Sequence, residues 1–225
     1  MNMKDLKRTL RSAIRYIRFQ VQNSLLLGYL KLRGQKNHAP GKVTIITPTY
    51  RRIEKLKEAI QCVLDQSYEN WEHIIVSDGY DKDVAELVGG LRNKKIAYRY
   101  TFPLHVMGNY QRNYALKFAT GEFVLYLDDD NIIYNDCLKI MTQGFTSEEI
   151  GYVVCPIHYG NGIKAPKHPL RHREVDLLNY MVRRSLVVKV WGQPVHGSAD
   201  FFLIDKISRL SKGNYLNDTI VGHHR

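Results

Sequence analysis

The sequence predicts an α/β protein, a mostly parallel sheet with helices on both faces, preceded by an N-terminal amphipathic helix. Three observations lead there. β-branched runs alternate with helical patterns between residues 43 and 127, the order that βαβ units produce. The chemically unusual residues stand just after those runs, at the carboxyl ends of the strands, where such sheets collect ligands. Residues 1–34 sort into an apolar and a basic arc on one helical wheel.

In that arm, Leu6, Leu10, Ala13, Ile14, Ile17 and Val21 share one arc, and Lys4, Lys7, Arg8, Arg11, Arg15 and Arg18 share another. An in-plane membrane helix needs this division, with acyl chains on one side and lipid phosphates on the other. The stripe would equally serve packing on the domain or on a second subunit, making a homo-oligomer. Contact with a membrane surface through residues 1–30 and self-association both stay open. Residues 34–41, with Pro40 and Gly41, read as a linker, which puts the arm at 1–34, the linker at 35–42 and the domain at 43–225.

In the body, 43–47 is the first strand, and Ile53, Leu56, Ala59, Ile60, Val63 and Leu64 form the buried stripe of the helix after it. Strands follow at 72–76, 96–101 and 122–127, with helices at 84–91 and 109–118 between them. From Gly151 the pattern loosens, and loops around a site plus one or two strands are expected.

The chain has 225 residues, 44% hydrophobic and 24% charged, enough apolar material for one domain and unlike a disordered or collagenous chain. Its net charge of +11 is uneven: residues 1–42 carry ten Lys or Arg against Asp5 alone, and residues 43–225 carry 23 against 21. A nearly neutral body without interleaved aromatic and basic residues argues against nucleic acid as a partner. Cys62, Cys137 and Cys155 lie far apart with no CxxC pair, and read as buried thiols of a reducing compartment. No apolar run approaches the roughly 20 residues that span a bilayer, and no secretory leader is recognisable. The expected location is cytoplasmic, with peripheral attachment to a membrane open.

Asp128-Asp129-Asp130 closes the fourth strand. Three adjacent carboxylates repel one another unless a cation or hydrogen-bond donors neutralise them. On an extended segment Asp128 and Asp130 would point one way and Asp129 the other, offering oxygen ligands to Mg2+ or Mn2+ with positions left for phosphate oxygens. The alternative is an acidic turn in which Asp129 or Asp130 caps a helix starting near Tyr134.

The strings VTIITPTYRR, IIVSDGYDKD and GNYQRNYALKFATGEFVLYLDDDN, in this order and spacing, resemble family 2 glycosyltransferases of the GT-A fold. The resemblance is close over residues 43–140 and looser beyond. It implies a Rossmann-like GT-A sheet with a nucleotide-binding half over 43–130 and an acceptor half over 131–225. The activity it implies is metal-dependent and inverting: a sugar passes from a nucleotide-sugar, most commonly a UDP-sugar, to a hydroxyl of a glycan or lipid-linked acceptor. Its nucleotide pocket would begin at Thr47, Pro48, Tyr50 and Arg51. Asp78 would contact the base, in a turn where Ser77 and Tyr80 replace the family's first Asp and its Ser. Arg112 and Asn113 would lie near the nucleotide. Asp128 would face the ribose and Asp130 the Mn2+ or Mg2+ ion, with Asp129 between them in the donor pocket.

An inverting transfer also needs a carboxylate that takes the acceptor's proton. Similar enzymes place it well past the acidic motif, often in a Glu-Asp pair at a helix start. Gly197-Ser198-Ala199-Asp200 is the best match, with Ala199 in the Glu position, so Asp200 is assigned ahead of Asp176 and Asp205. A late His often joins the metal shell, and His223 and His224 stand there. Trp191, Tyr159 and the loops between them would shape the acceptor pocket, and His196 would touch acceptor or diphosphate. Two other readings are a catalytically inactive membrane-associated adaptor on the same scaffold and a sugar-phosphate nucleotidyltransferase. The latter needs a Gly-rich phosphate loop after the first strand, and residues 47–52 contain no Gly.

Overall fold

The computed structural model describes residues 3–33, 38–104, 108–190 and 199–225. Strands β1 (Ala39–Thr49), β2 (Trp71–Asp78), β3 (Ile96–Thr101) and β4 (Gly121–Tyr126) alternate with helices α2 (Ile53–Leu64), α3 (Lys82–Gly90) and α4 (Asn109–Ala115). Residues 43–49 of β1 are buried almost throughout, as a strand covered on both faces requires. In α2, Leu56, Ala59, Ile60 and Val63 are buried, the three- and four-residue spacing of one helical face. Asp81 caps α3 by accepting from the backbone N–H groups of Asp83 and Val84 at 3.1 and 3.3 Å.

The later part of the chain adds β6 (Ile150–Val154), β9 (Tyr180–Arg183) and β10 (Lys212–Tyr215), and the main sheet runs β10-β6-β9-β4-β1-β2-β3. Strand β9 runs antiparallel to both its neighbours, β4 and β6. A second sheet, in the order β5-β11-β7-β8, joins β5 (Ile132–Ile133), β7 (Ile157–Tyr159), β8 (Gly162–Lys164) and β11 (Gly222–His224).

Helices cover both faces of the main sheet. On one, α2, α3 and α5 (Cys137–Gln143) bring Leu56, Val63, Val84 and Met141 against Ile45, Ile75 and Leu125. On the other, α4, α6 (Arg184–Val190) and α7 (Ala199–Ser208) bring Ala115, Val187, Leu203 and Ile204 against Ile46, Ile74 and Val124. Each such aliphatic side chain contributes about 1.5–3 kcal/mol by leaving water.

Among the described side chains, helix α1 (Met3–Arg33) docks through its second half, where Leu26 is buried and Tyr29 lies under the ammonium of Lys117, 4.7 Å from the ring centroid. Leu6, Leu10, Ile14, Ile17, Val21 and Leu25 are 43–71% exposed, so the apolar arc is not spent on packing against the domain.

Three expectations are corrected. The first strand begins at Ala39, four residues early, because Pro40 and Gly41 shape a break in register between Ala39 and Val43 rather than a linker. Gly41 takes φ +70° and donates its N–H to Glu122 at 2.8 Å. Among the described residues six strands, not one or two, lie between Ile150 and the end of the chain, each five residues or fewer, and apart from the local pairing of β7 with β8 they join partners distant in sequence. The helix after the acidic triplet starts at Cys137 behind Asp136, so neither Asp129 nor Asp130 caps it. The three cysteines are free and buried, and burial raises their thiols, that of Cys62 to about 11.

Candidate active site

The carboxyl ends of β1, β2 and β4 and the start of α4 enclose a cavity of about 510 Å3. Pro48, Tyr50, Asp78, Arg112, Asp128, Asp129, Asp130 and His224 line it, joined by Thr49, Arg52 and Gln111. Gly108 brings α4 close: its φ is +76°, and a Cβ there would meet the Pro48 ring at 2.9 Å.

The acidic triplet sits on a turn, with the Asn131 N–H donating to the Asp128 carbonyl at 3.1 Å, so strand alternation does not govern it. Each carboxylate takes its own partners. Asp128 accepts from the guanidinium of Arg112, which also donates to Asn109 at 3.0 Å. Asp129 is buried, accepting from the Thr49 hydroxyl at 2.8 Å and from Arg52 at 3.3 Å. Asp130 accepts from Arg52 at 2.8 Å and lies 3.6 Å from the Lys55 ammonium. Burial pushes the Asp129 carboxyl above its ordinary range although Thr49 and Arg52 oppose the rise. For Arg112, burial works against the charge, yet the adjoining Asp128 leaves the guanidinium above its ordinary value. Asp78 accepts from the backbone N–H of Leu104 at 2.7 Å.

Asp200 stands in the first turn of α7, and its carbonyl accepts from the Tyr180 hydroxyl at 3.0 Å. Burial, then the charge of Asp176, push its carboxyl up to about 6, with Arg112 opposing and Asp128 adding to the rise. Asp200 is therefore within electrostatic reach of the Arg112–Asp128 pair, although it is not among the side chains lining the cavity. Asp176 caps the 3-10 turn Leu177–Asn179, accepting from Leu178 at 3.0 Å, and Asp205 pairs with Arg209 on the same helix at 3.1 Å.

The two late histidines part ways. His224 lines the cavity, stacks on Tyr159 at 4.4 Å and sets Nε2 3.6 Å from the Asp176 carboxylate. His223 packs against His158, with ring centroids 5.9 Å apart. Other predicted residues stand off the cavity wall. Thr47 is buried in β1 and bonds His73 at 2.8 Å, Asn113 is buried in α4, and exposed Arg51 covers the ring of Tyr50 at 5.2 Å. Trp191, His196, Gly197 and Ser198 lie outside the described residues, as does the side chain of Ala199.

Asp128 and Asp130 offer carboxylate oxygens and His224 an imidazole on one cavity wall, donors that suit Mn2+ or Mg2+. Among the described residues no three His, Cys, Asp or Glu side chains converge to enclose an ion. The set fits a site whose shell phosphate oxygens and water complete.

The Rossmann-like sheet, with carboxylates and guanidinium groups gathered around one cleft at its strand ends, has the GT-A architecture. The sequence profile of Glycosyl transferase family 2 matches residues 44–206, and the chain belongs to that family. An uncharacterized glycosyltransferase of Rickettsia felis is 35% identical over 102 residues, covering 45% of this chain and 17% of the relative. The GalNAc(5)-diNAcBac-PP-undecaprenol beta-1,3-glucosyltransferase of Campylobacter jejuni is 30% identical over 104 residues, covering 45% of this chain and 34% of the relative. The chain thus spans well under half the length of these relatives. Among solved structures, Staphylococcus aureus TarS 1–349 in complex with UDP superposes with a TM-score of 0.71 at 20% identity, over 81% of this chain and 60% of that one. The mannosyltransferase PcManGT of Pyrobaculum calidifontis, in complex with GDP-Man and Mn2+, gives 0.63 at 18% identity, over 96% and 68%.

Proposed function

We propose that the protein is a metal-dependent, inverting glycosyltransferase that moves a sugar from a UDP-sugar to a hydroxyl of a glycan or lipid-linked acceptor. The observation that carries this reading is the convergence of Asp78, Arg112 and the three carboxylates of 128–130 on one cleft, with Asp200 in reach of their charges. The base would sit toward Asp78, the ribose toward Asp128 and the diphosphate toward Asp130. Arg112 pairs with the Asp128 carboxylate and fixes its direction.

Asp130 would hold Mn2+ or Mg2+, with either Asp128 or His224 as a further donor and phosphate oxygens and water completing the shell. Such an ion, when bound, neutralises charge on a departing diphosphate. Asp200 takes the proton of the acceptor hydroxyl as that oxygen attacks the anomeric carbon from the face opposite the nucleotide. The new C–O bond forms as the bond to the diphosphate breaks, and its electron pair leaves with UDP. A carboxyl raised to about 6 is a stronger base than an ordinary Asp and is still ionised at neutral pH.

The UDP in the TarS structure and the Mn2+ beside GDP-Man in the mannosyltransferase support the donor and metal assignments. The undecaprenol-linked substrate named for the Campylobacter relative supports a lipid-linked acceptor. The exposed stripe of α1 and its basic arc favour peripheral attachment to an anionic cytoplasmic membrane face. No helix among the described residues is long and apolar enough to cross a membrane.

Calorimetric titration with UDP tests the reading. Binding should require Mn2+ or Mg2+ and disappear in Asp130→Ala. Metal-independent binding that survives this substitution would remove the metal from the assignment, and no binding of UDP at all would favour an adaptor.

A further inference from the structure

A second cavity, about 590 Å3, opens where β3 meets α4 and the docked second half of α1. We infer that it is a saccharide-binding site separate from the donor cleft, taking an oligosaccharide chain through ring stacking and hydroxyl contacts. The inference goes beyond the donor-site reading and rests only on family membership.

Among the described residues its lining is chemically one-sided: five tyrosines and Phe102, with Gln22, Arg99 and Thr101, and no aliphatic side chain. A slot for an acyl or isoprenoid chain would be lined by aliphatic side chains such as Leu, Ile and Val. Aromatic faces carry negative potential, which suits the C–H faces of a pyranose ring, and phenol, guanidinium and amide groups at the rim suit its hydroxyls. Tyr80 and Tyr100 meet edge-to-face at 5.3 Å and are 64% and 54% exposed, so they form an open corner. Tyr98 is already committed, its hydroxyl bonding Ser77 at 2.6 Å and the backbone N–H of Asp81 at 2.8 Å.

A second observation points to a ligand. The Gln22 side-chain oxygen is buried on this wall with no hydrogen-bond partner among the described residues. A buried acceptor left unpaired costs about 1–3 kcal/mol, and a sugar hydroxyl would satisfy it. The two cavities share a wall: Gln111, which lines the donor cleft, donates to Thr101 of the second cavity at 2.9 Å. A glycan held here would stay beside the reacting centre.

The test uses the full chain with chitotriose, cellotriose and maltotriose as probes, followed by ligand-observed NMR with and without saturating UDP. At least one trisaccharide should bind in the millimolar range with UDP present. The double substitution Tyr100→Ala and Phe102→Ala, at exposed positions, should weaken it about tenfold and leave UDP affinity unchanged. Absence, for all three, of binding that depends on these two rings, or displacement of the trisaccharide by UDP, overturns the inference. A concentration-dependent doubling of mass that the double variant abolishes also overturns it, assigning the aromatic surface to a second copy of the chain. If UDP fails to bind, the arm without UDP still reads the saccharide site.

Discussion

Arg112, buried in α4, pairs across the cleft with Asp128 at the end of β4. Asn109 steadies the other end of the guanidinium at 3.0 Å, and Gly108 lets the whole unit press against Pro48. One planar cation thereby orients the first carboxylate of the triplet.

Arg112→Met should therefore do two things. It leaves Asp128 without its partner, destabilising the fold by about 1–3 kcal/mol, and it should abolish UDP binding in calorimetry. Arg112→Lys restores the charge but not the fork, so denaturation midpoints should recover further than UDP affinity. Unchanged UDP affinity in the Met variant would show that the pair has no part in donor binding.

Asp200 should make stability and activity respond to pH in opposite senses. Its folded-state carboxyl lies near 6, above its ordinary value, so the folded chain binds the proton more tightly than the unfolded one. That contribution is complete below the ordinary carboxylate range and is lost as pH rises toward 6. Asp200→Asn should thus raise the melting temperature at pH 7, with the gain closing near pH 4. Turnover in the native enzyme should fall as pH drops through about 6, and the Asn variant should lose about 10²–10⁴-fold in rate. A pH profile flat across 5–7 would point to another proton acceptor.

β3 was legible because its β-branched and aromatic residues stand between two helical patterns, and β1, β2 and β4 because each carries an apolar run ended by residues with no packing reason to be there, such as Asp78 and the triplet. Pro48, Tyr50 and Arg112 were legible for the same reason. Thr47 and Asn113 share motifs with cleft residues but face the interior, which neighbours in sequence do not reveal. Arg52 was hidden by a backbone event: Arg51 takes φ 54°, a left-handed conformation that costs roughly 1–2 kcal/mol, and Arg52, not Arg51, reaches the carboxylates. The strands after Gly151 were hidden because they are short and stabilised by distant partners, so local pattern carries little of their signal.

The exposed stripe of α1 should carry membrane attachment. Replacing Leu10, Ile14 and Ile17 together by Ser leaves Leu26 and Tyr29 in place, so the helix stays docked. Each apolar side chain withdrawn from lipid forfeits about 1.5–3 kcal/mol. The triple variant should therefore no longer float with vesicles rich in phosphatidylglycerol, and the unmodified chain should leave them at high salt. If flotation is unchanged but the apparent mass halves, the stripe is a subunit interface instead.

His223 and His224 are adjacent in sequence but not equivalent. Strand geometry sends successive side chains to opposite faces, and it is His224 that lines the cleft with Asp128 and Asp130. Its ring stacks on Tyr159 at 4.4 Å, and its Nε2 lies 3.6 Å from Asp176, whose carboxylate is held by the 3-10 turn it caps. His224→Ala should weaken Mn2+ binding in the presence of UDP, read by the disappearance of the free Mn2+ electron-resonance signal, whereas His223→Ala should leave it unchanged. Asp176→Asn should fall between them, because outer partners of metal-binding imidazoles are worth about 10–100-fold in affinity. Equal losses from both histidine variants would mean that the ring face, not the metal, is what His224 contributes.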